Sequence, residues 1–113
     1  MRHYEESTKK LQKTGVAIID SEDKVLEMQE KPSEPKSNWA VPPFYIYERE
    51  DIPYIKMACT PDDDGNPICG IDAPGDFIAW FCSQRPVYAW LMPGHRHDIG
   101  DLKSYEEAKK LYS

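Results

Sequence analysis

The stretch GVAIIDSEDKVLEMQEK, residues 15–31, decides the fold. A β-rich run over residues 15–21 meets the tight turn EDK. Val25, Leu26 and Met28 then alternate with Glu27 and Gln29 at nearly period two through Lys31. Two such runs joined by a short polar turn predict an antiparallel hairpin. A hairpin alone is marginal in water, so further strands or a helix must cover its apolar face.

The flanks supply them. Upstream, RHYEE (residues 2–6) is a short strand signal, and STKKLQKTG (7–15) is a helical turn or a loop. Downstream, PSEPKSN (32–38) is a loop and WAVPPFYIY (39–47) is a strand. Pro42 and Pro43 cannot donate to a ladder, so the first half of that strand lies at an edge or lines a cleft. EREDIPYIKMAC (48–59) predicts a helix with Asp51 as N-cap, because Pro53 fits only a first turn. Ile52, Ile55 and Met57 would share its inner side. TPDDDGNPICGIDAPG (60–75) is a long loop. In GDFIAWFCSQR (75–85), Phe77, Ile78, Trp80 and Phe81 are spaced for a buried helix face. PVYAWLMP (86–93) reads as a strand and GHRHDIGD (94–101) as a turn. LKSYEEAKKLYS (102–113) is a helix capped by Asp101, with Leu102, Tyr105, Ala108 and Leu111 or Tyr112 on one stripe. This order predicts one α/β domain over residues 1–113, a mixed β-sheet with helices packed on it.

The totals set limits. A chain of 113 residues suits one core. A net charge of −6 disfavours a nucleic-acid polymer as partner. Any phosphate ligand must be held by a few placed cations and backbone donors. No apolar run approaches a membrane span, and the first ten residues carry acids, unlike a secretory leader. The three cysteines, Cys59, Cys69 and Cys82, fit no disulfide framework, which points to a reducing, cytoplasmic setting.

Two places carry chemistry. Glu30-Lys31-Pro32 ends a strand before a rigid turn. A lysine there can aim its ammonium at a phosphate, and a glutamate can accept from sugar hydroxyls; alternatively the two are a solvated charge pair. In HRHDIGD, His95 and His97 would share one face of a strand, but a regular strand turns Asp98 to the other face, away from a zinc geometry. Asp98 before Ile99-Gly100 suits Mg²⁺, which takes one or two carboxylates and completes its shell with substrate phosphates. The other reading is a helix-capping turn. DDDGN (62–66) lacks the glycine and glutamate positions of a calcium loop.

GVAIIDSEDKVLEMQEKPSEPKSNWAVPPFYIY (15–47) resembles the middle of the sugar-1-phosphate nucleotidyltransferases, and HDIGDLKSYEEAKKLY (97–112) resembles their later segment, in the same order. The nearest likeness is to the glucose-1-phosphate thymidylyltransferase branch. The resemblance implies the C-terminal portion of a nucleotide-diphospho-sugar transferase fold. It also implies joining of a sugar-1-phosphate, here glucose-1-phosphate, to a nucleoside triphosphate, here dTTP, with release of pyrophosphate and Mg²⁺ as cofactor. By position, Lys31 would hold the sugar phosphate as the catalytic cation and Glu30 the sugar hydroxyls. Val41 and Tyr45 would wall the sugar, and Asp98 would ligate Mg²⁺.

Three departures stand out. Pro43 replaces a family glycine, and His97 replaces the aromatic that often precedes the metal aspartate. The family's N-terminal Gly-rich nucleotide loop has no counterpart, which implies that this chain alone does not catalyse. A sheet cut in this way would leave an edge open to a second copy. The alternative is a non-catalytic domain of the same fold, kept for ligand sensing or subunit interaction.

Overall fold

A computed structural model describes all residues, 1–113. In chain order the elements are β1 (His3–Tyr4), the one-turn helix α1 (Thr8–Leu11), β2 (Gly15–Ile19), β3 (Val25–Glu30) and β4 (Trp39–Val41). A 3₁₀ turn (Arg49–Asp51) then leads into α2 (Ile52–Cys59), followed by α3 (Pro74–Phe81) and α4 (Leu102–Tyr112). The fold is α/β, as the element order implied.

The hairpin forms the centre. Gly15 faces Glu30 and Ile18 faces Glu27, but Ile19 faces Val25, so Leu26 is an extra residue in a β-bulge. A bulge re-aims side chains locally. Val25 and Met28 both point into the core at a spacing of three, while Leu26 is 58% exposed. The turn is organised by Asp20, whose Oδ1 accepts from the backbone N–H groups of Glu22 (2.8 Å) and Lys24 (3.0 Å). Asp23 takes the left-handed φ of 66° that such a turn needs and that aspartate tolerates.

The sheet order is β1-β4-β2-β3, and every ladder is antiparallel. The only parallel pairing is a single bridge between Arg2 and Leu91. Ala17, Met28 and Val41 on one face pack with Ile78 and Phe81 of α3. Leu11 of α1 covers Val16 and Ala40 on the other. Aromatic rings extend the first layer: Phe77 stacks on Phe81 at 5.1 Å, and Tyr47 and Tyr54 approach Phe81 edge-on.

The paired prolines end β4. Pro42 is fully buried, and the Phe44 N–H bonds back to the Pro42 carbonyl at 2.7 Å. This i→i+2 bond makes a tight turn around Pro43. Beyond it the chain alternates without a ladder. Tyr45 and Tyr47 face the core cluster, while Phe44 and Ile46 face outward.

Three expectations change. Residues 86–93 form no ladder. Their backbone bonds to Val25 and Asp23 through Val87 and Ala89, and to Arg2 through Trp90 and Met92, so this segment ties the hairpin to the start of the chain. In α2 the packed side is Tyr54, Ile55 and Ala58, and Ile52 and Met57 lie about half exposed. In α4 only Ala108 of the apolar stripe is buried.

The molecule is open for its size. Its radius of gyration is 15.7 Å, against about 13 Å for a compact domain of this length. Its accessible surface is 8254 Å², against roughly 6,400 Å² for a monomer of this mass.

Candidate active site

The end of β3 is built by the hairpin on one side and by the start of α3 on the other. Gly15, Glu30 and Val41 lie in one row across three strands. Paired residues of a ladder share a face, so Glu30 lies on the face that α3 covers. There its carboxylate meets Gly75. Oε2 is only 1.6 Å from where a Cβ on Gly75 would stand, and 3.6 Å from that of Gly15. The strand end and the helix start close on Glu30 because both carry glycine.

Glu30 is half-buried, and no protein group donates a hydrogen bond or ion pair to it. Burial, and then the neighbouring Asp76 carboxylate, push its carboxyl above the usual glutamate value, against a smaller pull from Lys31. Tyr45 shares this neighbourhood. Burial, then Glu30 and Tyr47, push its hydroxyl up to about 12. At neutral pH it is a neutral donor.

Lys31 follows with a φ of 46°, a left-handed conformation that costs a non-glycine residue roughly 1 kcal/mol. Its N–H is fixed to the Thr14 carbonyl at 3.0 Å. The side chain is exposed and forms no ion pair. Val41 is 7% exposed and, with Tyr45, lines a cavity of about 940 Å³ that runs on to Tyr47, Phe81 and Arg85. Glu30 and Lys31 lie outside that cavity.

Asp98 is placed apart. It lies on the loop before α4 and is three-quarters exposed, with Arg96 at 3.5 Å. The segment leading to it bonds to Arg2 through Trp90 and Met92, which brings this part of the chain to the β1 side of the sheet. Glu30 is on the opposite outer strand, three strand spacings or roughly 14 Å across the sheet. The structure thus gathers Glu30, Tyr45 and Val41, with Lys31 adjoining, and sets Asp98 across from them. Gly75, Asp76 and Arg85 belong to these surroundings and were not singled out from the sequence.

A family model described as nucleotidyl transferase matches residues 4–113. The chain belongs to the nucleotidyl transferase family. It is 31% identical over 93 residues to a glucose-1-phosphate adenylyltransferase of Fervidobacterium nodosum, covering 82% of this chain and 21% of that protein. A protein of the same name from Thermosipho melanesiensis is 30% identical over 94 residues, covering 83% and 22%. One from Thermotoga maritima is 28% identical over 96 residues, with the same coverage. The chain spans about a fifth of the length of these relatives. No solved structure matches.

Within this nucleotidyl transferase chain the arrangement offers two kinds of chemistry. One end of the sheet offers an acceptor carboxylate, a neutral phenol and an exposed, unpaired cation. The other offers one exposed hard-oxygen ligand. No three His, Cys, Asp or Glu side chains converge on a metal geometry. A single aspartate still fits Mg²⁺, which draws the rest of its shell from water and substrate phosphates. No helix is long and apolar enough to cross a membrane.

Proposed function

We propose that this chain is the sugar-side part of a sugar-1-phosphate nucleotidyltransferase, with glucose-1-phosphate as its sugar. The observation that carries the reading is the pair at the end of β3. Glu30 is a half-buried carboxylate without a protein donor, next to a lysine without a carboxylate partner. A half-buried acid whose carboxyl is pushed up by burial and a neighbouring charge is a candidate for ligand contact.

Glu30 accepts from sugar hydroxyls, and Tyr45 and Val41 wall the ring. The Lys31 ammonium holds the phosphate. An oxygen of that phosphate attacks the α-phosphorus of the nucleotide in line, forming the new P–O bond as the bond to pyrophosphate breaks. Lys31 offsets charge gathering on the oxygens in transfer. Asp98 would hold Mg²⁺, which when bound supplies further charge neutralisation at the nucleotide phosphates. ATP is the proposed nucleotide, following the relatives' names rather than the dTTP of the motif likeness. Residues outside these 113 supply the nucleotide contacts, in keeping with the missing Gly-rich loop. The free edge of β3 is the proposed contact for a second copy, and the cytoplasm the proposed setting.

Pyrophosphate release by a protein that joins this chain to a nucleotide-binding part tests the reading, with glucose-1-phosphate, Mg²⁺ and ATP, dTTP, UTP, CTP or GTP in turn. Release with ATP supports it. Release with another nucleotide corrects the base. Binding of glucose-1-phosphate without turnover of any pair would favour the sensing domain, a reading to which the tight turn at Pro43 lends weight.

A further inference from the structure

We propose that Gly75 is a positioning residue for Glu30, and so a determinant of how the sugar is held. The proposal rests on the sugar-binding reading of Glu30. Its geometry does not: Glu30 Oε2 and Cδ lie 1.6 Å and 2.8 Å from the position a Gly75 Cβ would take. No side chain fits there unless the carboxylate leaves. Gly75 is buried in the first turn of α3, so the helix start acts as a backbone wall against one side of Glu30. Gly15, at the start of β2, closes the other side more loosely, at 3.6 Å.

The wall has two effects on the carboxylate. It removes water from one side of Glu30, and it brings Asp76 near enough to be felt by the carboxyl. Both keep Glu30 poorly solvated and so favour new donors, which sugar hydroxyls provide. A methyl group at position 75 would push the carboxylate outward into water, away from Tyr45.

The test begins on the 113-residue chain, with carboxyl carbon NMR following Glu30 through an acid titration. In Gly75→Ala, the Glu30 midpoint is expected to fall toward that of an ordinary glutamate. In Gly15→Ala it is expected to stay, because that methyl meets the flexible Met28 Cε at 2.5 Å first. An unmoved midpoint in Gly75→Ala overturns the proposal. A second test makes Gly75→Ala in a Glu30→Asp background, where the shorter side chain retracts from the wall. Its effect on urea stability, of either sign, should then shrink by at least half, and an equal effect in both backgrounds also overturns the proposal.

In the nucleotide-competent protein, Gly75→Ala should raise KM for glucose-1-phosphate about tenfold with a smaller fall in kcat. If Glu30→Gln raises KM and Gly75→Ala does not, the positioning role alone fails. If Glu30→Gln itself leaves KM unchanged, the sugar-binding reading of Glu30 fails instead.

Discussion

Arg85 Nη1 stands 3.1 Å from Asp51 Oδ1, and the other carboxylate oxygen of Asp51 accepts the Glu48 N–H at 2.8 Å. Asp51 is 8% exposed. One aspartate thus turns the chain into α2 and anchors Arg85, four residues past the end of α3. Removing one partner of such a pair leaves a charge with little water. Arg85→Met should cost about 2 kcal/mol in urea unfolding, a figure below that of a fully buried pair because Arg85 is 28% exposed. Arg85→Met in an Asp51→Asn background should cost much less. Equal costs in the two backgrounds would show that Arg85 contributes only its packing.

Glu30 should make the protein more stable in mild acid. Its carboxyl lies above the usual glutamate value in the folded chain, chiefly through burial and then Asp76. The native state therefore binds a proton that the unfolded chain has already released. Stability falls as pH rises from about 4.5, the ordinary value, through the folded pKa. Glu30→Gln should raise Tm at pH 7 and leave it unchanged well below pH 4.5. A Tm gain that persists at low pH would assign the effect to packing. A site that gains stability when its acid is removed keeps that acid for another purpose.

How much of this was legible depends on how local each signal is. The hairpin reads directly from residues 15–31, because alternation and the turn lie within one window. Its bulge does not: Val25 and Met28 are both core, and nothing in the period-two pattern singles out Leu26 as the extra residue. PVYAWLMP has strand composition, but a strand needs a neighbour along its length, and here only Lys24–Tyr88 and Arg2–Leu91 pair with it. Glu30 and Lys31 stood out as a charged pair at a strand end. Gly75 and Asp76 did not, since a Gly-Asp at a helix start is ordinary until the fold brings it against Glu30. In α4 the sequence sets Leu102, Tyr105 and Leu111 on one apolar stripe. It is exposed because the stripe shows which side is apolar and not whether anything covers it.

The outer edge of β3 predicts self-association. Val25 bonds through its N–H to Val87 at 2.7 Å and the Cys82 thiol reaches the Met28 backbone, but no further strand pairs with this edge, and Leu26 is exposed on β3. Glu27 of this strand pairs with Lys36 at 2.9 Å. Exposed edges of this kind pair with further strands unless charge prevents it. Sedimentation equilibrium should show concentration-dependent dimerisation that Leu26→Lys suppresses. A monomer at the highest soluble concentration would remove this edge as an interface.

The roles proposed for Lys31 and Asp98 differ, so the proposed reaction should separate them kinetically. In the nucleotide-competent protein, Lys31→Ala should raise KM for the sugar phosphate and lower turnover together, because a cation on the transferring oxygens serves both ground state and transition state. A combined loss of about 10²-fold or more in kcat/KM is expected, in line with the removal of one stabilising group. Lys31→Arg should restore binding better than turnover, since guanidinium keeps the charge with different geometry. Asp98→Asn should leave the sugar-phosphate KM nearly intact. It should shift the Mg²⁺ dependence to higher concentration, because the amide keeps an oxygen and loses the charge. Arg96 lies 3.5 Å from Asp98 and would compete with the ion, so Arg96→Ala should shift the same curve the other way. An Asp98→Asn variant with an unchanged Mg²⁺ curve would take Asp98 out of the metal site and leave it as the solvated partner of Arg96.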